Sequence, residues 1–366
     1  MERKKEGSPF KNMDWFLLFV VLALHTVGLL ILRTIAEQRM DTGTFTKQVT
    51  ATIIGIVCLI ILLFFDYKDF RVLGFIAYLF TTILLVLVLY VGHGKDEVGM
   101  TGWLFLGPFS FQPSELAKIT LVLVTAFFFE KISEKPSFLH YLFLLISAVV
   151  PIILILQQPD FGTAMVCIIV LLFMLFIWGL KYRYILVGVV IAAASAIPIW
   201  VYVLPKVLDP YQLKRILSFI NPAAYSKDSA YQVRMAIRAI GSGQNTIDLS
   251  RDYASNYVPA VHTDMIFSAL GEKIGFFGSV AVVILFALLL LRCIYIAALT
   301  KDRFGSYVVI GLSAIFFAHF LENVGMNLGL MPVTGIPLPF ISSGGSSLIA
   351  NDIAIGIIMG ISMRKR

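Results

Sequence analysis

The stretch AVHTDMIFSALGEKIGFFGSVAVVILFALLLLRCIYIAAL, residues 260–299, sets a polar turn directly against a long apolar run. From Ile274 to Leu299 the only charged residue is Arg292. A helix needs about 20 apolar residues to cross some 30 Å of hydrocarbon, so this run is long enough to span a bilayer. His262, Thr263 and Asp264 then stand in a row where water meets membrane. The chain around them has to explain that placement.

The composition points the same way. Of 366 residues, 59% are hydrophobic and only 14% charged, with 30 phenylalanines. Soluble domains carry about one quarter charged residues, so the chain reads as a membrane protein. The net charge of +7 is explained by topology, which argues against nucleic acid as a partner. Cys58, Cys167 and Cys293 lie inside apolar runs, with no spacing that suggests a disulfide or a metal site. Glu2, Arg3, Lys4 and Lys5 precede the first apolar run as in a signal peptide. No small-residue cleavage site follows, so it reads as a retained helix.

Ten stretches qualify as spans: 14–35, 46–65, 71–91, 115–132, 138–156, 161–179, 183–204, 274–299, 306–331 and 345–363. Lys and Arg concentrate in MERKKEG, DYKDFR, EKISEK, LKYR, TKDR and the terminal RKR. The positive-inside rule therefore places both termini in the cytoplasm. The expected architecture is an all-α polytopic membrane protein, one integral domain over 1–366. A large extracellular loop at 205–273, carrying short interfacial helices, joins the seventh and eighth spans. The distinctive polar motifs FSFQPSELAK, QQPDFGTA, the long loop and PVTGIPLPFISSGGSS all fall at outward ends. That clustering suits an enzyme or receptor of the outer face, whereas a transporter gathers polar groups near mid-membrane.

Within the long loop, Arg234 and Arg238 are four apart and share a helical face, with Lys214 and Arg215 nearby in sequence. Two readings stay open for them: contact with lipid headgroups, or a cationic floor for a phosphate-bearing substrate. Two also stay open for Asp264. Thr263 or Asp264 is suited to cap the following helix. Alternatively, partial desolvation suits the Asp264 carboxylate to act as a general base on a sugar hydroxyl. Glu272 and Lys273 read as interfacial surface charges. Glu115 and Lys118 share a face at i,i+3 after Pro113, as a structural lock or a substrate contact. Asp160 sits in a Pro–Asp–Phe–Gly turn. His319, Asn323 and Asn327 recur every four residues beside Glu322, a stripe that must face protein or a cavity. HExxH, Walker and dinucleotide motifs are absent.

The motifs FQPSELAK (111–118), QPDFGTA (158–164), YQLKRILSFINP (211–222), AIGSG (239–243), HTDMIF (262–267), GEKIGFFG (271–278) and NVGMNLGLMPVTGIPLPFISSGGSS (323–347), in this order, resemble the SEDS family of shape, elongation, division and sporulation proteins. The resemblance covers almost the whole chain and implies ten helices with the large loop between the seventh and eighth. It implies a peptidoglycan glycosyltransferase that polymerises lipid II at the outer face of the bacterial cytoplasmic membrane, with Asp264 as the catalytic aspartate. It places Arg215, Arg234, Arg238, Lys118, Glu115, Asp160, Ser343 and Ser346 toward substrate or diphosphate. His262, Thr263, Glu272, Asn323 and Pro339 then shape the cavity. Magnesium or manganese is a candidate aid to the departing diphosphate, with no ligands assigned. A class B penicillin-binding protein is the implied partner, within an elongation or division complex.

The chain departs from the family pattern at GMTGWLFLG, at QNTIDLS after AIGSG, at Lys273, at Ser343, and at the polar Asn351 and Asp352. Short tails favour an elongation role over division, with sporulation a third option. A lipid II flippase and a non-catalytic scaffold are the competing functions, the flippase drawing on the stripe of His319, Glu322, Asn323 and Asn327.

Overall fold

The computed structural model describes residues 12–94, 101–106, 109–181, 183–184, 186–188, 190, 210–225, 229–251 and 257–364. In chain order the long elements are α1 (Trp15–Arg39), α2 (Thr42–Leu63), α3 (Phe70–Val91), strands β1 (Leu104–Leu106) and β2 (Phe109–Phe111), and α4 (Pro113–Glu134). There follow α5 (Phe138–Gln157), α6 (Phe161–Trp178), the shorter α7 (Pro210–Ile220) and α8 (Ser229–Ser242), then α9 (Ile266–Leu299), α10 (Arg303–Asn327) and α11 (Gly345–Arg364). Eight of these helices are long and apolar enough to cross a membrane among the described residues. The segment expected as the fourth span is helical, as α4, whose 22 residues give about 33 Å of helix. Its Glu115, Lys118, Glu130 and Lys131 make it less apolar than the other eight. The expected seventh span, 183–204, lies mostly outside the described residues.

Helix starts follow local chemistry. Asp14, Asp41, Asp160 and Asp302 each accept a backbone N–H in the first turn of α1, α2, α6 and α10. α10 and α11 are buried along most of their length, while α3 and α5 turn broad apolar faces outward. Polar side chains on α10 and α11 therefore meet protein rather than lipid. At the start of α10 the Arg71 guanidinium bridges Glu130 (2.8 Å) and Asp302 (2.6 Å). Arg292, the lone charge of the 274–299 run, pairs with Asp14 at 2.9 Å. These pairs occupy the end of the bundle opposite Asn327, a full length of α10 away.

Two features were not anticipated. The segment before α4 folds into an antiparallel hairpin, pairing Leu104 with Phe111 and Leu106 with Phe109. The expected span at 274 also starts earlier, because helix runs from Ile266 and bends at Gly275. Gly275 has φ +64, and a Cβ there would lie 2.7 Å from the Thr246 carbonyl oxygen, so only glycine fits the bend.

Candidate functional site

The turn 260–265 enters α9 with Ala260 in the left-handed region (φ 53). Its backbone is fixed from two sides. Ser343 N–H donates to the His262 carbonyl at 2.8 Å, and the Ser342 hydroxyl donates to the Thr263 carbonyl at 2.7 Å. From α10, the Asn323 side-chain amide donates to the Asp264 carbonyl (2.8 Å) and to the Ile336 carbonyl (2.8 Å). Asn327 donates to the same Asp264 carbonyl at 3.1 Å. The cap position of α9 is Met265, and no side chain of the turn caps it. The capping role open to Thr263 and Asp264 is therefore not used, and the Asp264 carboxylate points elsewhere.

It points to Gly335. A Cβ on Gly335 would lie 3.4 Å from Asp264 Oδ2 and 3.2 Å from Arg215 Nη1, and φ there is +85. Glycine lets a carboxylate and a guanidinium close on one backbone position. Asp264 lies before the membrane-spanning run, and burial pushes its carboxyl above the usual carboxylate range, with the Arg215 charge opposing. Arg215 also opens onto a cleft of about 200 Å³ between α7, α8 and residues 329–333. Arg234, Phe219, Val233, Ile237 and Met331 line it, so two cations share an apolar-walled space. Arg238 is exposed and is not among its lining residues.

A second network lies in the half of the bundle that carries this turn. Lys118, 2% exposed, donates to Glu115 at 2.9 Å and meets His319 Nε2 at 2.6 Å. His319 Nδ1 reaches the Pro337 carbonyl at 3.2 Å. The i,i+3 pair of α4 is thus tied through α10 to the GIPLP segment that carries Gly335. Asp160 caps α6 through the Thr163 amide (3.0 Å) and accepts from Gln112 (3.2 Å). Burial raises its carboxyl too. Ser346 accepts the Gln112 N–H (3.1 Å) and donates to the Ser110 carbonyl (3.0 Å), fastening the hairpin to α11. The polar stripe of His319, Asn323 and Asn327 is wholly buried, and its contacts reach the 260–265 turn and the segment carrying Ile336 and Pro337.

The whole length of the chain carries a likeness as well as these sites. Residues 13–366 match the model of the cell cycle protein family of FtsW, RodA and SpoVE. The chain belongs to this SEDS family. The peptidoglycan glycosyltransferase MrdB of Escherichia coli (strain K12) is 31% identical over 359 residues, covering 97% of this chain and 95% of the relative. Stage V sporulation protein E of Bacillus subtilis (strain 168) is 31% identical over 379 residues, covering 99% of each. Among solved structures, a chain from a peptidoglycan synthase complex that coordinates polymerization and crosslinking superposes with a TM-score of 0.81 at 29% identity, covering 96% of this chain and 98% of that one.

Against the reading from residue types alone, two charges fall in a different role. Glu272 and Lys273 are not surface charges: both are fully buried. Lys273 donates to Gln38 (2.8 Å) and to the Arg251 carbonyl (3.0 Å), pinning the long loop against α1. Burial of a lysine is tolerable because its donors are met by these oxygens. Glu272 accepts from Ser242 at 3.4 Å. His262 faces Arg39 and Asp41 at the α1–α2 connection; burial, with Arg39 second, lowers its pKa. Ser343 serves through its backbone, and Pro339 is buried in the loop beneath. Asn327, read from the sequence only as part of the buried stripe, holds the Asp264 carbonyl; Gln48 and Ser342 hold the site and were not singled out, Gln48 donating to the Ser342 carbonyl at 3.0 Å. Among the described residues no group of three or more His, Cys, Asp or Glu converges to hold a metal ion.

Proposed function

We propose that the chain is a peptidoglycan glycosyltransferase that polymerises lipid II into β-1,4 glycan strands at the outer face of the cytoplasmic membrane. The observation that carries this reading is the approach of Asp264 and Arg215 to Gly335, beside an apolar-walled cationic cleft. Lipid II presents an α-linked sugar on a polyprenyl diphosphate, and the product is β-linked, so one inversion suffices. The acceptor 4-hydroxyl attacks the anomeric carbon, its proton passes to Asp264, and the bond to the diphosphate breaks with the electron pair leaving on phosphate oxygen. A carboxyl raised by burial is a stronger base than a solvated one. Arg215 stabilises the charge that develops on the diphosphate, and Arg234 lies further along the same cleft.

Ten spans with both termini in the cytoplasm would put this site outside. Three side chains of the stripe on α10, His319, Asn323 and Asn327, support the enzyme over a flippase, because they hold the 260–265 turn and the Ile336–Pro337 segment instead of lining a route through mid-membrane. Crosslinking would fall to a class B penicillin-binding protein packed against the lipid-facing helices. This is in line with the synthase complex from which the similar chain comes. An elongation role predicts rounded cells on depletion; filaments would indicate division, and a defect confined to spores would indicate sporulation.

Reconstitution with fluorescent lipid II on the outer leaflet, free of any other glycosyltransferase, tests the proposal. Glycan polymer is the expected product; leaflet exchange without polymer would favour a flippase, and neither would favour a scaffold. Arg215→Met should lower polymerisation about 100-fold. It should also shift the pH profile in a set direction. Arg215 holds the Asp264 pKa down, so its removal raises that pKa and moves the acid limb to higher pH. An acid limb that stays put would separate Arg215 from the base.

A further inference from the structure

α9 should begin one residue earlier than it does. Asp264 is a good capping residue, and with Asp264 as cap the next backbone bond of the ladder would run from the Ser268 N–H to the Asp264 carbonyl. In the structure a carboxamide from another helix stands between that donor and that acceptor. Asn327 Oδ1 accepts the Ser268 N–H at 3.1 Å, and Asn327 Nδ2 donates to the Asp264 carbonyl at 3.1 Å. The Ser268 N–H also meets the Met265 carbonyl at 3.1 Å, the tighter three-residue closure of a first turn. Asn327 is fully buried and donates as well to the Asn323 carbonyl at 2.8 Å. Asn323 in turn grips the Asp264 and Ile336 carbonyls. The amide group of Asn327 thus substitutes for a peptide in the helix ladder.

We infer that Asn327 is a positioning residue: by occupying the ladder bond that would recruit Asp264 as the cap of α9, it keeps the Asp264 carboxylate available to the acceptor hydroxyl. The inference rests on the proposed role of Asp264 as base. Without Asn327 the Ser268 N–H closes directly on the Asp264 carbonyl. The carboxylate then folds over the amide of Phe267 in the first turn. A carboxylate that accepts a backbone N–H is a weaker base with a lower pKa. The charged groups acting on Asp264 from neighbouring elements are Arg215 on α7 and Asp160 at the head of α6. Neither is moved by the substitution.

The test combines kinetics with a melting cycle on the full chain in detergent or liposomes. Asn327→Leu, alike in branching and without polar atoms, should lower kcat about 10-fold with KM within about twofold. The acid limb of its pH–rate profile should move down by roughly one unit. A purely structural defect would lower activity without moving that limb. Independently of activity, Asp264→Ala should leave the melting temperature nearly unchanged beside native Asn327. Beside Asn327→Leu it should lower the melting temperature by about 2–4 °C, because Asp264 has become the cap. Strictly additive melting shifts, or an unmoved acid limb, overturn the inference. If the leucine variant does not fold, Asn327→Ser, too short to bridge the two groups, carries the same expectations. Should Asp264→Ala prove fully active, the base assignment fails, while the melting cycle still reports on the cap.

Discussion

Asp264→Asn in the purified, reconstituted protein is expected to abolish nearly all glycan polymer while leaving the fold intact. The anchors of the turn explain why the two effects should separate. Asn323 and Asn327 hold the Asp264 carbonyl, and Ser342 and Ser343 hold the carbonyls before it. None of these bonds uses the side chain at position 264. Asparagine matches aspartate in size and still suits a turn, so the monodispersity and melting of the variant should follow the parent. What it cannot do is take a proton. Loss of a general base costs about 10²–10⁴-fold in rate, and the polymer should fall by that range at neutral pH. Lipid II binding should survive, because Arg215 and the cleft are untouched. Asp264→Glu is the companion variant: it keeps the proton acceptor but pushes it toward Gly335, and should recover only part of the rate. Polymerisation unchanged in Asp264→Asn would remove the base from the mechanism.

The spans were legible because apolar length is a local property of the sequence. α1, α2, α3, α5, α6, α10 and α11 fall close to the runs read from hydropathy, and α4 was found despite its charges. Asp264 was legible as chemistry out of place, a carboxylate at the edge of an apolar run. Its freedom from capping was not legible, because the group that replaces the cap lies on α10, far along the chain. Lys273 shows the same limit. It follows Glu272 at the head of an apolar run, where surface charges are ordinary, yet its acceptors are Gln38 and a carbonyl of the long loop. The hairpin before α4 was missed because three-residue strands leave too short a pattern to read. The every-fourth-residue stripe on α10 did announce a buried polar face, but not that this face would hold the turn at 260–265. The candidate phosphate cations needed the fold to be sorted: Arg215 and Arg234 share a cleft that Arg238 does not line.

Lys118→Met should be the more damaging change at the second network, and Glu115→Gln the milder one. Both charges are almost completely buried, and the ammonium sits between the Glu115 carboxylate and His319. Removing the cation leaves Glu115 buried without its counter-charge, a change that costs about 3–5 kcal/mol in buried pairs. The melting temperature should fall accordingly, and the Pro337 contact of His319 should loosen with it, carrying strain to the Gly335 segment. Glu115→Gln keeps a carbonyl oxygen in place to accept from Lys118, so the network loses a charge but not its hydrogen bond. Its activity should drop less completely than that of Asp264→Asn. The double variant Glu115→Gln with Lys118→Met discriminates two roles. Without either charge the desolvation penalty disappears, and melting should return most of the way to the parent. If the pair serves only as a lock, polymerisation returns with it. If the lysine meets substrate diphosphate, stability recovers and polymerisation does not. Full activity in both single variants would place the pair outside the working cavity altogether.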